Sequence, residues 1–247
     1  VTEENAQAIA PRTRESLSRG VGANTRVGVC DFWSCVCAER PSAVPVGGKV
    51  AASMLRALAG ALLDGNREVR MAAASCFASF ARRNAPQELT KVIFERLLKH
   101  DQEYRTDDAQ RNAFRISLSR ALWEVCRRCD DTQLEVELKA AIASKAFGLR
   151  WSSEQEVKTG WESLWGELCP TTSGGIERYQ KEICAELASA FSDSVSRAEK
   201  MDSSKAVSAL CTQLDKVTPR PNWAADAAVA ELHKAMRETV QSLPIFE

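Results

Sequence analysis

Apolar residues recur every three or four positions along the stretch from Leu62 to Ala81. Counted from Val69, they fall at i, i+3, i+4, i+7, i+8 and i+11, which places them on one stripe of an α-helix. The stripe consists of Val69, Ala72, Ala73, Cys76, Phe77 and Phe80. Its small residues allow a neighbouring helix to approach closely, and the two phenylalanines fill the space beyond them. The turn Asp64-Gly65-Asn66 before the stripe is typical of the entry into the second helix of a two-helix unit.

A similar helix recurs along the chain, each time with a cation near its start. These cations lie 44, 45 and 43 residues apart, at Arg26, Arg70, Arg115 and Lys158, and Arg111 fits nearly as well as Arg115. Helical segments alternate with short breaks rich in Gly, Pro, Asp and Ser, and alternation with a period of two is almost absent. The period is that of HEAT repeats rather than of tetratricopeptide or ankyrin repeats. The sequence therefore predicts an all-α fold, a HEAT-repeat α-solenoid in which antiparallel helix pairs form a right-handed superhelix of about ten helices.

We expect a single solenoid segment of about five repeats. Their approximate limits are 1–41, 42–84, 85–129, 130–169 and 170–218, followed by the first helix of a further repeat at 219–247. The fifth repeat has a polar start and a degraded register near Lys200 or Asp202. The segment from Cys169 to Gly175, with a proline and two adjacent glycines, gives the strongest loop signal. The polar run at 100–111 is interpreted as a solvated loop, with a docking site as the alternative.

Composition excludes several classes of function. Lys plus Arg and Asp plus Glu both number 33, so the formal charge is zero and no basic excess favours binding of nucleic acid or a membrane surface. No apolar run reaches the length that a membrane span needs. The N-terminus lacks the basic and apolar regions of a secretion signal and begins with Val1. We therefore expect a segment of a longer protein that acts in the cytoplasm and nucleus.

Cysteine usage also favours a reduced environment. The chain has nine cysteines, an odd number, and several lie within apolar helical patterns, where a free cysteine acts as a small hydrophobic residue. Cys126 and Cys129 form a Cys-x-x-Cys pair, which leaves a redox or metal protein as a remote alternative. A zinc site would need a second pair at suitable spacing. We predict free thiols, no disulfide, no bound zinc and no cofactor.

Several stretches together resemble one family. These are GVGANTRVGVCDFW at 20–33, LLDGNREVRMAAASCFASFARR at 62–83, the Trp-rich helix and Gly-Gly turn at 152–183, and SLPIFE at 242–247. The opening motif has Gly20, Gly22, Asn24, Thr25, Arg26 and Val27, and the second has Trp161, Trp165, Gly174, Gly175, Arg178 and Tyr179. They resemble the C-terminal half of the proteasome adaptor and scaffold proteins of the Ecm-twenty-nine family, long HEAT-repeat solenoids. One departure is that Val195, Ser196 and Arg197 stand where the family usually carries a tryptophan and basic residues.

The resemblance implies a non-catalytic scaffold that binds the regulatory and core particles of the proteasome and tethers the assembly or checks its quality. The residues alone support a narrower statement, an α-solenoid with an extended interaction surface. A generic HEAT scaffold, similar to a nuclear transport receptor or a phosphatase scaffold, is therefore the alternative. No phosphate-binding loop, nucleophile elbow or zinc-protease motif indicates an enzyme.

Candidate partner contacts are Trp151, Arg178 and Tyr179. Trp151 lies in a loop-like segment, and the other two follow the Gly-Gly turn that carries the resemblance. Trp161 and Trp165 share one helical face and are interpreted as core residues. The cations near the helix starts are interpreted as partners of turn acids such as Asp64, with contact to an acidic partner protein as the alternative.

Overall fold

The computed structural model describes residues 1–18, 22–103, 107–130, 132–193, 196–216 and 226–242. These ranges contain helices and no strand, so the predicted all-α class is confirmed. The helices are α1 Glu3–Ser18, α2 Ala23–Glu39, α3 Lys49–Ala61, α4 Arg67–Ala81, α5, α6 Asp108–Arg128, α7 Val136–Leu149, α8 Gln155–Leu168, α9 Thr172–Asp193, α10 Arg197–Leu214 and α11 Ala227–Ser242. Helix α5 consists of Pro86–Thr90, a π-helical stretch Lys91–Leu98, and Lys99–Glu103. A short 3-10 turn, Pro41–Ala43, follows α2.

The chain divides into two compact units, Val1–Leu138 and Lys139–Glu247. Unit 1 contains α1 to α6 and the first residues of α7, and unit 2 contains the rest of α7 and α8 to α11. The division of the chain into five repeats stays a prediction. The expected linker at Pro219-Arg220-Pro221, the terminal stretch 243–247, Gly20 and Val195 lie outside the described residues.

Unit 1 is built from two layers of helices. The first helices of successive pairs pack in the order α1, α3, α5, and the second helices pack in the order α2, α4, α6. Each second helix also packs against the first helix of its own pair. This nearest-neighbour order is the one expected for stacked helix pairs.

The apolar stripe of α4 lies at the centre of unit 1. Val69, Ala73, Phe77 and Phe80 are fully buried, as the helical spacing predicts. The ring of Phe80 meets the ring of Trp33 on α2 edge-on, with centroids 5.6 Å apart. Helix α4 is therefore packed between α2 and α6, and its stripe belongs to the core between repeats.

Trp33 joins three helices, although the sequence analysis did not single it out. Its indole is fully buried, and its Nε1 donates a hydrogen bond to Thr13 Oγ1 on α1 at 2.9 Å. The same ring contacts Phe80 on α4. A buried tryptophan with a satisfied N–H provides both apolar area and orientation, so Trp33 fixes α1 and α4 relative to α2.

The first helices of unit 2 are also neighbours. Phe147 on α7 meets Trp165 on α8 edge-on at 5.2 Å, and Lys145 on α7 forms an ion pair with Glu186 on α9 at 3.1 Å. Helix α9 packs against both α10 and α11. The first-helix positions α7, α9 and α11 are thus neighbours, as α1, α3 and α5 are in unit 1.

The loop expected between Cys169 and Gly175 is only partly present, because α9 already begins at Thr172. The physical reason lies in the packing of Gly175. A Cβ atom at Gly175 would lie 2.6 Å from both Cβ and Sγ of Cys169 and 2.9 Å from Cζ2 of Trp165. The glycine allows the first turn of α9 to approach the end of α8, so it is a packing residue and not a turn residue.

The polar run at 100–111 is also more ordered than a solvated loop. Helix α5 extends to Glu103, and Asp107 caps α6 by accepting a hydrogen bond from the Gln110 amide at 2.9 Å. Asp101 is 4% exposed. Residues 104–106 lie outside the described residues. The expectation of a solvated loop is therefore wrong for the described part of the run.

Replacing Phe77 by Ala should lower the free energy of unfolding by about 3–5 kcal/mol, because it leaves a cavity in the stripe of α4. The matched control is Phe94→Ala, since Phe94 is 43% exposed on α5, and it should change stability by less than about 0.5 kcal/mol. Urea unfolding followed by circular dichroism measures both. Equal effects of the two variants would contradict the assignment of α4 to the core.

Gly175→Ala should destabilise unit 2 by about 1–3 kcal/mol, because the added methyl group overlaps Cys169 and Trp165. Gly166→Ala is the matched control in α8, since a Cβ there has no neighbour within 4 Å. It should instead stabilise by about 0.5–1 kcal/mol through helix propensity. Thermal unfolding of both variants measures the difference. A stabilising Gly175→Ala would contradict the close approach of α9 to Cys169 and Trp165.

Candidate interaction sites

A polar junction connects the first two repeats at the turn before α4. Arg26 on α2 forms an ion pair with Asp64, with its Nη1 2.6 Å from Oδ2. Arg70 on α4 donates from Nη1 to the backbone carbonyls of Asp64 at 2.7 Å and Gly65 at 3.1 Å. The turn thus receives one guanidinium from the preceding repeat and one from its own helix.

The same turn starts α4 by side-chain capping. Asn66 Oδ1 accepts hydrogen bonds from the amides of Glu68 at 2.9 Å and Val69 at 3.3 Å. Asp64 Oδ1 accepts a further bond from the Asn66 amide at 2.8 Å. Because amides at a helix start lack partners within the helix, these acceptors stabilise the start of α4.

Two further cations near the starts of second helices also pair within the protein. Arg115 on α6 donates to both carboxylate oxygens of Asp101, at 2.7 and 3.0 Å, and both side chains are largely buried. Arg111, which fits the repeat spacing nearly as well as Arg115, pairs with Asp108. The interpretation of the cations as structural partners is therefore confirmed for Arg26 and Arg115 through carboxylates, and for Arg70 through backbone carbonyls.

The later repeats use a different polar link. Asp202 on α10 accepts hydrogen bonds at Oδ2 from the amide of Ser153 at 2.7 Å and from its hydroxyl at 3.0 Å. Asp202 stands 44 residues after Lys158. At this position an acid on the second helix therefore accepts hydrogen bonds from an uncharged residue of a turn, so helix and turn exchange the roles of donor and acceptor relative to Arg26 and Asp64.

The tryptophans of unit 2 differ in exposure. Trp161 is fully buried and Trp165 is 3% exposed, which confirms their interpretation as core residues. Trp151, the candidate partner contact, is half-buried directly after α7. The indole nitrogens of Trp151 and Trp165 are both buried, and neither has a hydrogen-bond acceptor among the residues that the structure describes.

Arg150 lies among three aromatic rings. Its Cζ is 5.4 Å from the ring centroid of Phe147 and 5.3 Å from those of Trp151 and Trp165. Burial lowers the pKa of Arg150, and the charge of Glu162 opposes that shift. The guanidinium is therefore held by ring faces, an arrangement that stabilises a partly desolvated cation. No sequence pattern pointed to Arg150, although its neighbour Trp151 is a candidate contact.

Arg178 and Tyr179 occupy different environments. Arg178 is exposed, with its Cζ 5.3 Å from the ring centroid of Tyr179. Tyr179 is 4% exposed, and its backbone departs from helical geometry at φ −114° and ψ 20°. Of the two, Arg178 is available at the surface of unit 2, whereas the Tyr179 side chain belongs to its interior.

Two arginines lie over Trp123 on α6. Arg120 and Arg127 lie over its ring at 5.0 and 4.6 Å. Glu124 on the same helix pairs with Arg120 at 2.8 Å and also with Arg128 at 2.9 Å. One of the two arginines over Trp123, Arg120, therefore has a carboxylate partner on its own helix.

All nine cysteines are free thiols. Burial raises the pKa of Cys37, Cys129, Cys169 and Cys184 to about 11 in each case. A redox-active Cys-x-x-Cys pair needs a lowered thiol pKa, and the shift at Cys129 has the opposite sign. The described residues contain no group of three or more metal-ligating side chains, and no helix among them is long and apolar enough to cross a membrane.

Residues 1–100 match the family model described as proteasome adapter and scaffold protein ECM29, HEAT-repeat domain. The match confirms, for these residues, the family resemblance and the HEAT-repeat fold class inferred from the sequence. No curated protein and no solved structure matched the chain.

Thiol labelling should separate exposed from buried cysteines. In the native protein at about pH 8, a disulfide reagent should modify the exposed Cys35 and Cys211 within minutes. The four thiols whose pKa is raised to about 11 should react only after unfolding, because almost none of each is present as thiolate at that pH. Mass spectrometry of the labelled peptides measures the order of reaction.

Unfolding without reductant should then release nearly all nine thiols. Rapid native labelling of Cys129 would contradict its burial. A total of seven or fewer thiols in fresh protein would contradict the assignment of reduced cysteines throughout.

Proposed function

We propose that this chain is part of a non-catalytic scaffold that binds the proteasome. The observation that carries the proposal is the match of residues 1–100 to the HEAT-repeat domain of the proteasome adapter and scaffold family. Within the assembly, the scaffold tethers the regulatory particle to the core particle or checks the quality of their assembly. It acts in the cytoplasm and nucleus.

The architecture supports a role in binding. Stacked helix pairs bury their apolar stripes between neighbours, as α4 does between α2 and α6, and leave their polar residues at the surface. Binding by such a surface is spread over many repeats. Surface charge is dense and balanced, with 33 basic and 33 acidic residues, so charged contacts at the edge of an interface should make association depend on salt.

The described site chemistry gives no reason to add a catalytic role. The paired cations bind turn carboxylates or carbonyls, and the Cys-x-x-Cys pair has a raised pKa at Cys129. A generic HEAT scaffold for nuclear transport or for a phosphatase is the alternative function, and it requires the same fold with different partners.

The test is affinity purification of the tagged full-length protein from its own cells at low salt, with partners identified by mass spectrometry. Regulatory and core proteasome subunits should be enriched over an untagged control, and their recovery should fall as salt rises. Recovery of transport cargo or a phosphatase catalytic subunit, with proteasome subunits at the level of the control, would replace the proposal with the alternative.

A further inference from the structure

The three second helices of unit 1 each end in arginine. The residues are Arg40 directly after α2, Arg82 and Arg83 directly after α4, and Arg127 and Arg128 at the end of α6. We call these five residues the arginine edge. Four of them are exposed, and Arg83 is half-buried. Contacts between the helix ends show that these residues lie along one edge of the unit.

Arg83 joins the end of α4 to the end of α2. Its guanidinium donates from Nη2 to the carbonyl of Cys37 at 3.2 Å and from Nη1 to the carbonyl of Pro41 at 3.1 Å. Carbonyls in the last turn of a helix lack partners within the helix, so Arg83 has a structural role. Arg40 lies between the two accepting residues in the chain, which places it beside the end of α4.

Two hydrogen bonds join the end of α4 to the end of α6. Arg128 Nη1 donates to Ser79 Oγ in the last turn of α4 at 2.9 Å. Gln133 Nε2, in the turn after α6, donates to the carbonyl of Arg82 at 3.0 Å. Arg128 also pairs with Glu124 at 2.9 Å, so its role is structural too. The ends of α2, α4 and α6 are therefore adjacent.

The other three arginines have no structural partner of this kind. Within the part of the chain that the structure describes, the side chains of Arg40 and Arg82 form no hydrogen bond and no ion pair. Arg127 likewise pairs with no carboxylate there, and its Cζ lies 4.6 Å from the ring centroid of Trp123. A cation at a helix end interacts with the helix dipole, but this leaves its N–H donors available to a ligand. Each second helix of unit 1 thus presents one guanidinium to solvent.

Trp123 adds an aromatic ring next to this edge. It lies one turn before Arg127 on α6 and is half-buried. Arg120 and Arg127 lie over its ring, at 5.0 and 4.6 Å. A guanidinium stacked on a ring is held in place while its N–H groups remain available to a carboxylate. Tryptophan and arginine are also enriched among the residues that contribute most to protein interfaces.

Acidic residues near the arginine edge do not neutralise it. Glu124 is 8% exposed, and its two oxygens bind Arg120 and Arg128. Glu39 and Asp130 are exposed, and neither forms an ion pair with a described residue. The chain has 33 basic and 33 acidic residues in total. A chain of balanced charge therefore concentrates exposed basic groups at this edge.

We propose that the arginine edge, together with Trp123, is a docking surface for an acidic segment of a protein partner. Packed helices lie about 8–10 Å apart, and three extended residues span about 10 Å. An extended segment with an acid at every third position therefore reaches one guanidinium on each second helix. Guanidinium and carboxylate groups are both planar and form two parallel hydrogen bonds.

A protein segment is favoured over a nucleic acid by the charge of the whole chain. The formal charge is zero, so the chain has no long-range attraction for a polyanion such as RNA. The proposal rests on the proposed function in one respect, since a scaffold must bind a protein. It names the chemistry of the bound segment and the edge of unit 1 that receives it.

Peptide titration followed by proton–nitrogen NMR of the 247-residue chain tests the proposal. The probe is a synthetic peptide with glutamate at every third position and glycine between, and the matched peptide has glutamine in place of glutamate. The indole N–H signal of Trp123 is assigned with Trp123→Phe, which removes the N–H and keeps a ring. The glutamate peptide should shift this signal with a saturable dependence on concentration, and the glutamine peptide should not.

Arg82→Gln and Arg127→Gln should each weaken binding of the glutamate peptide by about two- to fivefold, as expected for loss of an exposed ion pair. Both changes together should weaken it by about four- to twenty-five-fold, because separate contacts are additive. The matched control is Arg12→Gln. Arg12 is exposed on α1, in the other layer of unit 1, and forms no ion pair with a described residue. The control removes the same charge and should leave the Kd within about 1.5-fold.

Circular dichroism of each variant checks that it is folded. Three results would overturn the proposal. One is an equal shift of the Trp123 signal with the glutamate and glutamine peptides. Another is a loss of binding with Arg12→Gln as large as that with Arg127→Gln, which would mean that only the overall charge matters. The third is saturation by inorganic phosphate or by single-stranded RNA of the same length at lower concentrations than by the glutamate peptide.

Failure of this proposal can be distinguished from failure of the proposed function. Proteasome subunits that co-purify with the full-length protein, together with a double variant of Arg82 and Arg127 that changes neither this recovery nor peptide binding, would make only the docking surface wrong. If the peptide binds as described but proteasome subunits are not enriched, the docking surface stands and the identity of the partner is wrong.

Discussion

Unit 1 depends on the burial of α4 from two sides. A helix whose stripe includes Val69, Phe77 and Phe80 cannot cover those side chains alone, so it needs α2 on one side and α6 on the other. The small residues Ala73 and Ala74 within α4 are fully buried, which permits a close approach of its neighbours. Stability in such a stack arises between nearest neighbours, and the order of the helices follows from it.

Polar junctions give this apolar stack its register. Apolar contacts do not fix how far one repeat slides along the next, whereas Arg26 and Asp64 meet at 2.6 Å in only one register. The same turn carries the cap of Asn66 and the carbonyls that bind Arg70. In unit 2 the link between Ser153 and Asp202 has the same role, with donor and acceptor exchanged between helix and turn. Because these cations and acids are used internally, the candidate binding groups are those that lack such partners.

Sequence periodicity was sufficient for the fold class and for the face that α4 buries, because the helical spacing is a local property. It also placed Trp161 and Trp165 in the core. Partners across repeats were harder to find, since the pairing of Arg26 with Asp64 depends on stacking and not on local spacing. A glycine in the sequence can indicate either a turn or a close contact between helices. Gly175 is of the second kind, because its missing side chain allows α9 to approach Trp165 closely.

The candidate site was predicted only in part. Trp151 and Arg178 could be named from loop position and motif, whereas Arg150 could not, because its role depends on rings from α7 and α8 that meet only in three dimensions. Asp101 was misjudged because polar composition suggested solvent, although its carboxylate is buried against Arg115.

Hydrogen exchange along unit 1, followed by mass spectrometry, tests the central claim most directly. If α4 is held between α2 and α6, its amides should exchange more slowly than those of α1, which packs mainly against α2 and α3. The account predicts the slowest exchange in peptides from Arg67–Ala81 and progressively faster exchange towards Glu3–Ser18. Exchange in α4 as fast as in α1 would contradict the claim that burial between neighbouring repeats stabilises the fold.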